Sequence, residues 1–113
     1  MNFSIWLGAT FPEIPPEITL EAIGVVIAPE GLVEVLKARS PDKQAFELRE
    51  LQDIVGGHIQ VVPFNYGYIV CDEDGKSKRA PINKVATVRL KKLLRRGDFL
   101  VGDVLVCKKE VIA

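Results

Sequence analysis

The chain predicts an α+β domain: a small mixed sheet of four to five strands with two helices on one face. Three observations carry this. β-branched apolar runs occur at 22–28, 58–63, 66–71 and 99–107, two segments repeat apolar residues at helical spacing, and glycine- or proline-containing turn signals separate them. The order strand, optional short strand, helix, strand, strand, helix, strand is that of a split β-α-β arrangement.

The elements follow from local chemistry. Residues 1–20 form an extension, since Pro12, Pro15 and Pro16 block regular helix and central-strand pairing, while Phe3, Ile5, Trp6 and Phe11 are too apolar for a free tail. The remaining residues, 21–113, form one domain. Ala22 to Ala28 is β-branched and stops at Pro29-Glu30-Gly31, a turn signal. Leu32 to Lys37 alternates as a returning hairpin partner, with a helical turn as the alternative. Ser40-Pro41 pairs a capping hydroxyl with the residue best tolerated at the first helical position, and Leu48, Leu51 and Val55 repeat at helical spacing before Gly56. This predicts a helix over 41–55. His58–Pro63 and Tyr66–Cys71 read as an antiparallel pair, followed by a turn at Asp72-Glu73-Asp74-Gly75. Asn83 caps a second helix with the stripe Ala86, Leu90, Leu93 and Leu94, ending at Gly97. Val85 and Val88 fall on its basic side and tolerate strand as well. Phe99 to Cys107, interrupted at Gly102-Asp103, suits a strand covered on both faces or bent at a bulge.

At 113 residues and 48% apolar composition, one domain can bury a core without disulfides or metal. Cys71 and Cys107 lie in apolar runs and read as two reduced, buried thiols of a cytosolic protein. The start of the chain has no basic segment and no long apolar core, so no signal peptide is expected. No run approaches the roughly 20 apolar residues of a membrane span, so no membrane role is expected either.

Net charge is zero, but its distribution is uneven. Glu13, Glu17, Glu21, Glu30 and Glu34 lie in 1–36 with no basic residue, whereas 76–96 carries Lys76, Lys78, Arg79, Lys84, Arg89, Lys91, Lys92, Arg95 and Arg96 with no acidic one. Such segregation marks an anion-binding face or two segments that attract each other.

Catalytic and metal chemistry find little support. His58 is the single histidine, so a His/Cys zinc site lacks ligands, and Ser4, Ser40 and Ser77 have no nucleophile-elbow context. No enzyme, cofactor or metal is expected. Asp72, Glu73 and Asp74 could attract a hard cation, but a solvated turn explains them more simply. Gly56-Gly57 precedes a strand, so helix termination explains it better than a phosphate loop. The best binding candidate is the loop holding Lys76, Lys78 and Arg79 together with the start of the second helix at Asn83, Lys84 and Thr87. Free backbone N–H groups and nearby cations there suit a small anion, although capping alone also accounts for Asn83 and Thr87. Lys84, Lys91 and Arg95, flanked by Lys92, form a basic stripe, which dipole complementarity explains as well as nucleic-acid binding does. Trp6 and Phe11 either dock on the domain itself or make a subunit contact. The apolar extension and open strand edges also leave room for a homo-oligomer.

Leu51-Gln52-x-x-Val55-Gly56-Gly57, Asp72-Glu73-x-Gly75-Lys76, Asn83-Lys84-x-Ala86-Thr87 and Gly102-x-Val104-Leu105-Val106, in this order, resemble a small domain of unknown function that recurs in bacteriophage and plasmid proteins. The resemblance covers about half the chain and brings no catalytic residues. It implies a non-enzymatic mobile-element protein of the bacterial host cytoplasm, with a regulatory or counter-defence task. The first expectation is sequestration of a small, nucleotide-type anionic ligand. The alternatives are a stoichiometric protein-interaction module that inhibits a host enzyme through the extension or the basic helix face, and nucleic-acid binding.

Overall fold

The structure is a computed structural model and describes residues 2–37 and 45–112. The chain opens with helix. Asn2 accepts the Ile5 backbone N–H at 3.0 Å and caps α1 (Phe3–Thr10), and Pro16 begins the short α2 (Pro16–Thr19). The expectation that the prolines keep 1–20 out of regular helix is therefore corrected. Proline blocks a helix it lies inside, and here the prolines begin at Pro12, beyond the end of α1. Phe3, Leu7, Phe11 and Ile14 are buried in the core, so residues 2–20 pack on their own domain. Leu7 and Phe11 are wholly buried; burial of a side chain of this size contributes roughly 2 kcal/mol.

The sheet has five strands: β1 (Ala22–Ile27), β2 (Val33–Lys37), β3 (Ile59–Phe64), β4 (Gly67–Asp72) and β5 (Val104–Lys108). Their spatial order is β2-β1-β5-β4-β3. Every ladder is antiparallel, so the fold is α+β as expected but the sheet is not mixed. The segment 32–37, left open between strand and helical turn, is β2. The β1–β2 register slips between Ala22 and Gly24. The extra residue changes the alternation, placing Ala22 on the same face as Val25 and Ile27 and Ile23 on that of Val26.

Both faces of the sheet carry helices, which corrects the expected one-sided helix layer. The first face takes α1 and α4 (Lys84–Arg89) over Val25, Ile27, Ile69, Cys71, Val104 and Val106. The second takes α3 (Leu48–Val55), whose Leu51 and Val55 meet Val70, Leu105 and Cys107. Cys71 and Cys107 are accordingly free, buried and on opposite faces. Burial alone pushes the Cys107 thiol up to about 12.

Both predicted helices are shorter than expected. The Ser40-Pro41 start lies outside the described residues, and 45–47 are not helical. Phe46 instead bridges Ile112, and Leu48 opens α3. The predicted stop is found: Gly56 adopts the left-handed conformation at φ 81° and donates its N–H to Gln52 O. The second helix ends at Leu90 instead of running toward Gly97, and a 3₁₀ turn, Lys91–Leu93, follows. Ala86 and Leu90 are buried and Val85 packs at the core margin, whereas Val88 is 71% exposed. The 99–107 run divides as well. Gly102 turns at φ 68°, Val101 bridges Ile82, and β5 follows with Val104 to Cys107 buried throughout.

Backbone packing around β5 requires small residues. A Cβ on Gly67 would lie 2.0 Å from Cys107 O, and one on Gly24 would lie 2.8 Å from Val106 O. Neighbouring strands can approach the central one this closely only with glycine at these positions. Among the described residues, no helix is long and apolar enough to cross a membrane.

Candidate functional site

The loop 73–83 leads from β4 to α4 and carries four of the six expected binding residues, and the structure gives most of the four internal partners. Lys76 Nζ donates to Asp98 Oδ1 at 2.6 Å and lies 4.4 Å from the centre of the Phe99 ring. Lys78 Nζ donates to Asp72 Oδ2 at 2.8 Å. The lysine partner and backbone hydrogen bonds hold Asp72 and Asp98 below the usual carboxylate range, outweighing the desolvation that opposes them. Asp72 also accepts the Asp74 N–H at 2.9 Å, so the acidic turn is tied to itself and to Lys78. Among the described residues no group of three or more His, Cys, Asp or Glu is arranged to hold a metal.

Asn83 is the expected cap, and it does more than cap. Its Oδ1 accepts the Ala86 N–H at 3.0 Å, while Nδ2 donates to Ile27 O and to Gly102 O, each at 2.8 Å. Both amide protons and the oxygen are thus used inside the protein, and the residue is 0% exposed. Thr87 Oγ1 donates to Asn83 O at 2.7 Å and accepts the Leu100 N–H at 2.9 Å. Asn83 and Thr87 therefore form an internal clasp between α4, the end of β1 and the turn before β5. Of the six expected ligand-binding residues, only Arg79 and Lys84 are exposed without an ion-pair partner among the described residues, and Arg79 sits in the left-handed region at φ 56°. The six do not converge on one anion pocket.

Phe11 is completely buried beneath Arg89, whose guanidinium carbon lies 5.2 Å from the ring centre, so it offers no surface to a partner. Trp6 is partly buried between Phe3 and Phe64, at 5.9 and 4.8 Å between ring centres. Docking on the chain's own domain accounts for both. Arg89 also joins Glu13 at 3.0 Å and donates to Thr10 O at 2.7 Å, so one pair across the segregated charge blocks does form. Burial pushes the Glu13 carboxyl up, but its backbone hydrogen bond and Arg89 together bring it below the ordinary value.

A basic ridge remains. Lys84, Lys91, Lys92, Arg95 and Arg96 are exposed along α4, the 3₁₀ turn and the segment after it, and none has an ion pair among the described residues. They do not form a stripe on one continuous helix, because the helix breaks at Leu90. Val88, also exposed, lies within the same stretch of the chain. Sequence reasoning missed that the loop lysines Lys76 and Lys78 are neutralised by Asp98 and Asp72 from either side of the basic block.

A protein-family model matches residues 22–111 and is described as a domain of unknown function, DUF3846. The chain belongs to this family. The DUF3846 match begins at the first strand, so α1 and α2 precede the family's span while packing on its core. It includes Asn83, the clasp and the whole basic ridge. No curated protein and no solved structure matches the chain.

Two outcomes check this account. Asn83→Ala removes the side-chain hydrogen bonds to Ile27 O, Gly102 O and Ala86 N–H and should cost about 3 kcal/mol in urea unfolding. Asn83→Asp should cost at least as much, because a carboxylate cannot donate to the Ile27 and Gly102 carbonyls. The Asp72 and Asp98 pairs stabilise the fold above the ordinary Asp value, 3.8, and that contribution is lost as pH falls through their lower folded values. Thermal melts of Asp72→Asn/Asp98→Asn should show a lower melting temperature at neutral pH and a weaker pH dependence below about pH 4.

Proposed function

We propose that this DUF3846 protein is a non-enzymatic, stoichiometric protein-interaction module that applies its basic ridge to an acidic surface of a partner protein. The observation that carries the reading is the contrast within one charge block. Lys76, Lys78 and Arg89 are each paired internally, whereas Lys84, Lys91, Lys92, Arg95 and Arg96 are left exposed. Exposed like charges close in the chain repel one another weakly in water, and an acidic surface relieves that repulsion while steering encounter. Val88 in their midst supplies an apolar contact for the centre of such an interface.

The resemblance to phage and plasmid domains supports a mobile-element protein of the bacterial cytoplasm, acting in regulation or counter-defence by blocking a host enzyme. Sequestration of a nucleotide-type anion is the weaker reading: Lys76, Lys78, Asn83 and Thr87 would have to release partners they already hold. Nucleic-acid binding is also the weaker reading: the exposed aromatic nearest the ridge in the chain, Phe99, already has Lys76 over its ring at 4.4 Å.

Lys91→Glu/Lys92→Glu/Arg95→Glu/Arg96→Glu should fold as the parent does, because these side chains are exposed and unpaired. Pull-down from nuclease-treated bacterial host lysate should recover a partner with the parent chain and lose it with the variant. Equal recovery by both, or titration heat from a cyclic nucleotide with the parent chain and no protein partner, contradicts the proposal.

A further inference from the structure

The second face of the sheet is only partly covered. The helix α3 lies over β3, β4 and β5, and a groove of about 440 Å³ opens between it and the β1–β2 hairpin. Ile23, Val26 and Leu36 form its floor, and Ile54 of α3 forms part of one wall. These four are partly buried apolar side chains at the margin of the second-face core. The volume lies in the range of sites that take a small ligand or a few side chains.

Among the described residues the groove's lining is mostly acidic: Glu34, Glu50, Asp53 and Asp103 line it with one cation, Lys37, which is already paired with Glu21 at 3.1 Å. Asp53 has Arg49 at 3.1 Å on the outer side of α3. Glu34 and Asp103 are exposed at the rim and have no ion pair among the described residues. Desolvation, with a smaller contribution from the neighbouring Glu30, holds the Asp103 carboxyl above the ordinary value.

We infer that this groove docks a basic amphipathic peptide segment of a partner protein, with apolar side chains on Ile23, Val26 and Leu36 and Lys or Arg heads at Glu34 and Asp103. Charge complementarity decides the occupant: an anion or an acidic segment would meet the Glu34 and Asp103 carboxylates at the rim, and an uncharged apolar segment would leave them unused. Lysine and arginine also suit the geometry, since their stems can lie along an apolar floor while the charged head stays at a wet rim. The site lies across the sheet from α4, so it is independent of the basic ridge and would let one domain contact two partners of opposite charge.

The probe is a fluorescein-labelled twelve-residue peptide alternating Arg and Leu, with a Glu-Leu peptide of equal length as control, each titrated into the ¹⁵N-labelled full chain. The Arg-Leu peptide should bind saturably and shift the amides of Ile23, Val26 and Leu36. Glu34→Lys/Asp103→Lys should weaken binding at least tenfold, and so should Leu36→Trp, which fills the groove without changing charge. Glu34→Gln/Asp103→Asn gives the milder version if the reversal perturbs the fold by circular dichroism. Lys91→Glu/Lys92→Glu should leave peptide affinity unchanged, which separates this site from the basic ridge. Shifts confined to other surfaces, equal binding of the Glu-Leu peptide, or no effect of Leu36→Trp would overturn the inference. Sedimentation velocity adds one more outcome that overturns it: dimers abolished by Glu34→Lys/Asp103→Lys would make a second copy the occupant.

Discussion

One buried amide organises the structure. Asn83 Nδ2 joins the carbonyl ending β1 to the carbonyl of Gly102 before β5, and its Oδ1 starts α4. A side chain with no water contact and three partners works as a small rigid joint, because losing any partner strands a polar group in the core. Thr87 braces the same joint from one turn along, taking the Asn83 carbonyl and the Leu100 N–H. The consequences spread outward. With the turn before β5 fixed, Val104 to Cys107 enter the centre of the sheet, where Gly24 and Gly67 leave room for the neighbouring backbones. The basic segment follows directly from α4, so the joint also determines where the exposed cations stand.

Charge is sorted into two regions around this frame. Lys76, Lys78 and Arg89 are paired with Asp98, Asp72 and Glu13, whereas Lys84, Lys91, Lys92, Arg95 and Arg96 face solvent. Across the sheet, α3 leaves part of the β1–β2 hairpin open beneath carboxylates. Among the described residues, a chain of zero net charge therefore presents two surfaces of opposite sign on the two sides of the sheet. Such a layout suits contact between macromolecules, since exposed charges steer encounter and apolar patches among them supply the area.

Much of the fold was legible because it rests on local chemistry. Gly56 as a left-handed stop, Asn83 as a cap, the Pro29-Glu30-Gly31 turn and the β3–β4 pair all follow from residue types acting on their own neighbourhood. The first helix was legible in part: Phe3, Leu7 and Phe11 repeat at helical spacing behind Asn2, but the prolines that follow masked the signal. The two-sided helix layer had a readable sign in the unbroken apolar run of β5, which needs cover on both faces. The candidate site was less legible. An asparagine before a helix looks the same whether it caps, ligates or ties distant strands, and its acceptors lie 56 and 19 residues away. The pairing of Lys76 with Asp98 spans 22 residues and leaves no local mark either.

The most direct measurement is hydrogen–deuterium exchange of the Asn83 side-chain amide protons, followed by NMR with and without added cyclic nucleotide or ADP-ribose. A joint buried in the core predicts that these protons exchange orders of magnitude more slowly than those of exposed Asn65, and that the resonances do not move when the anion is added. Rapid exchange, or a shift that saturates with the nucleotide, would make Asn83 a ligand contact and contradict the account.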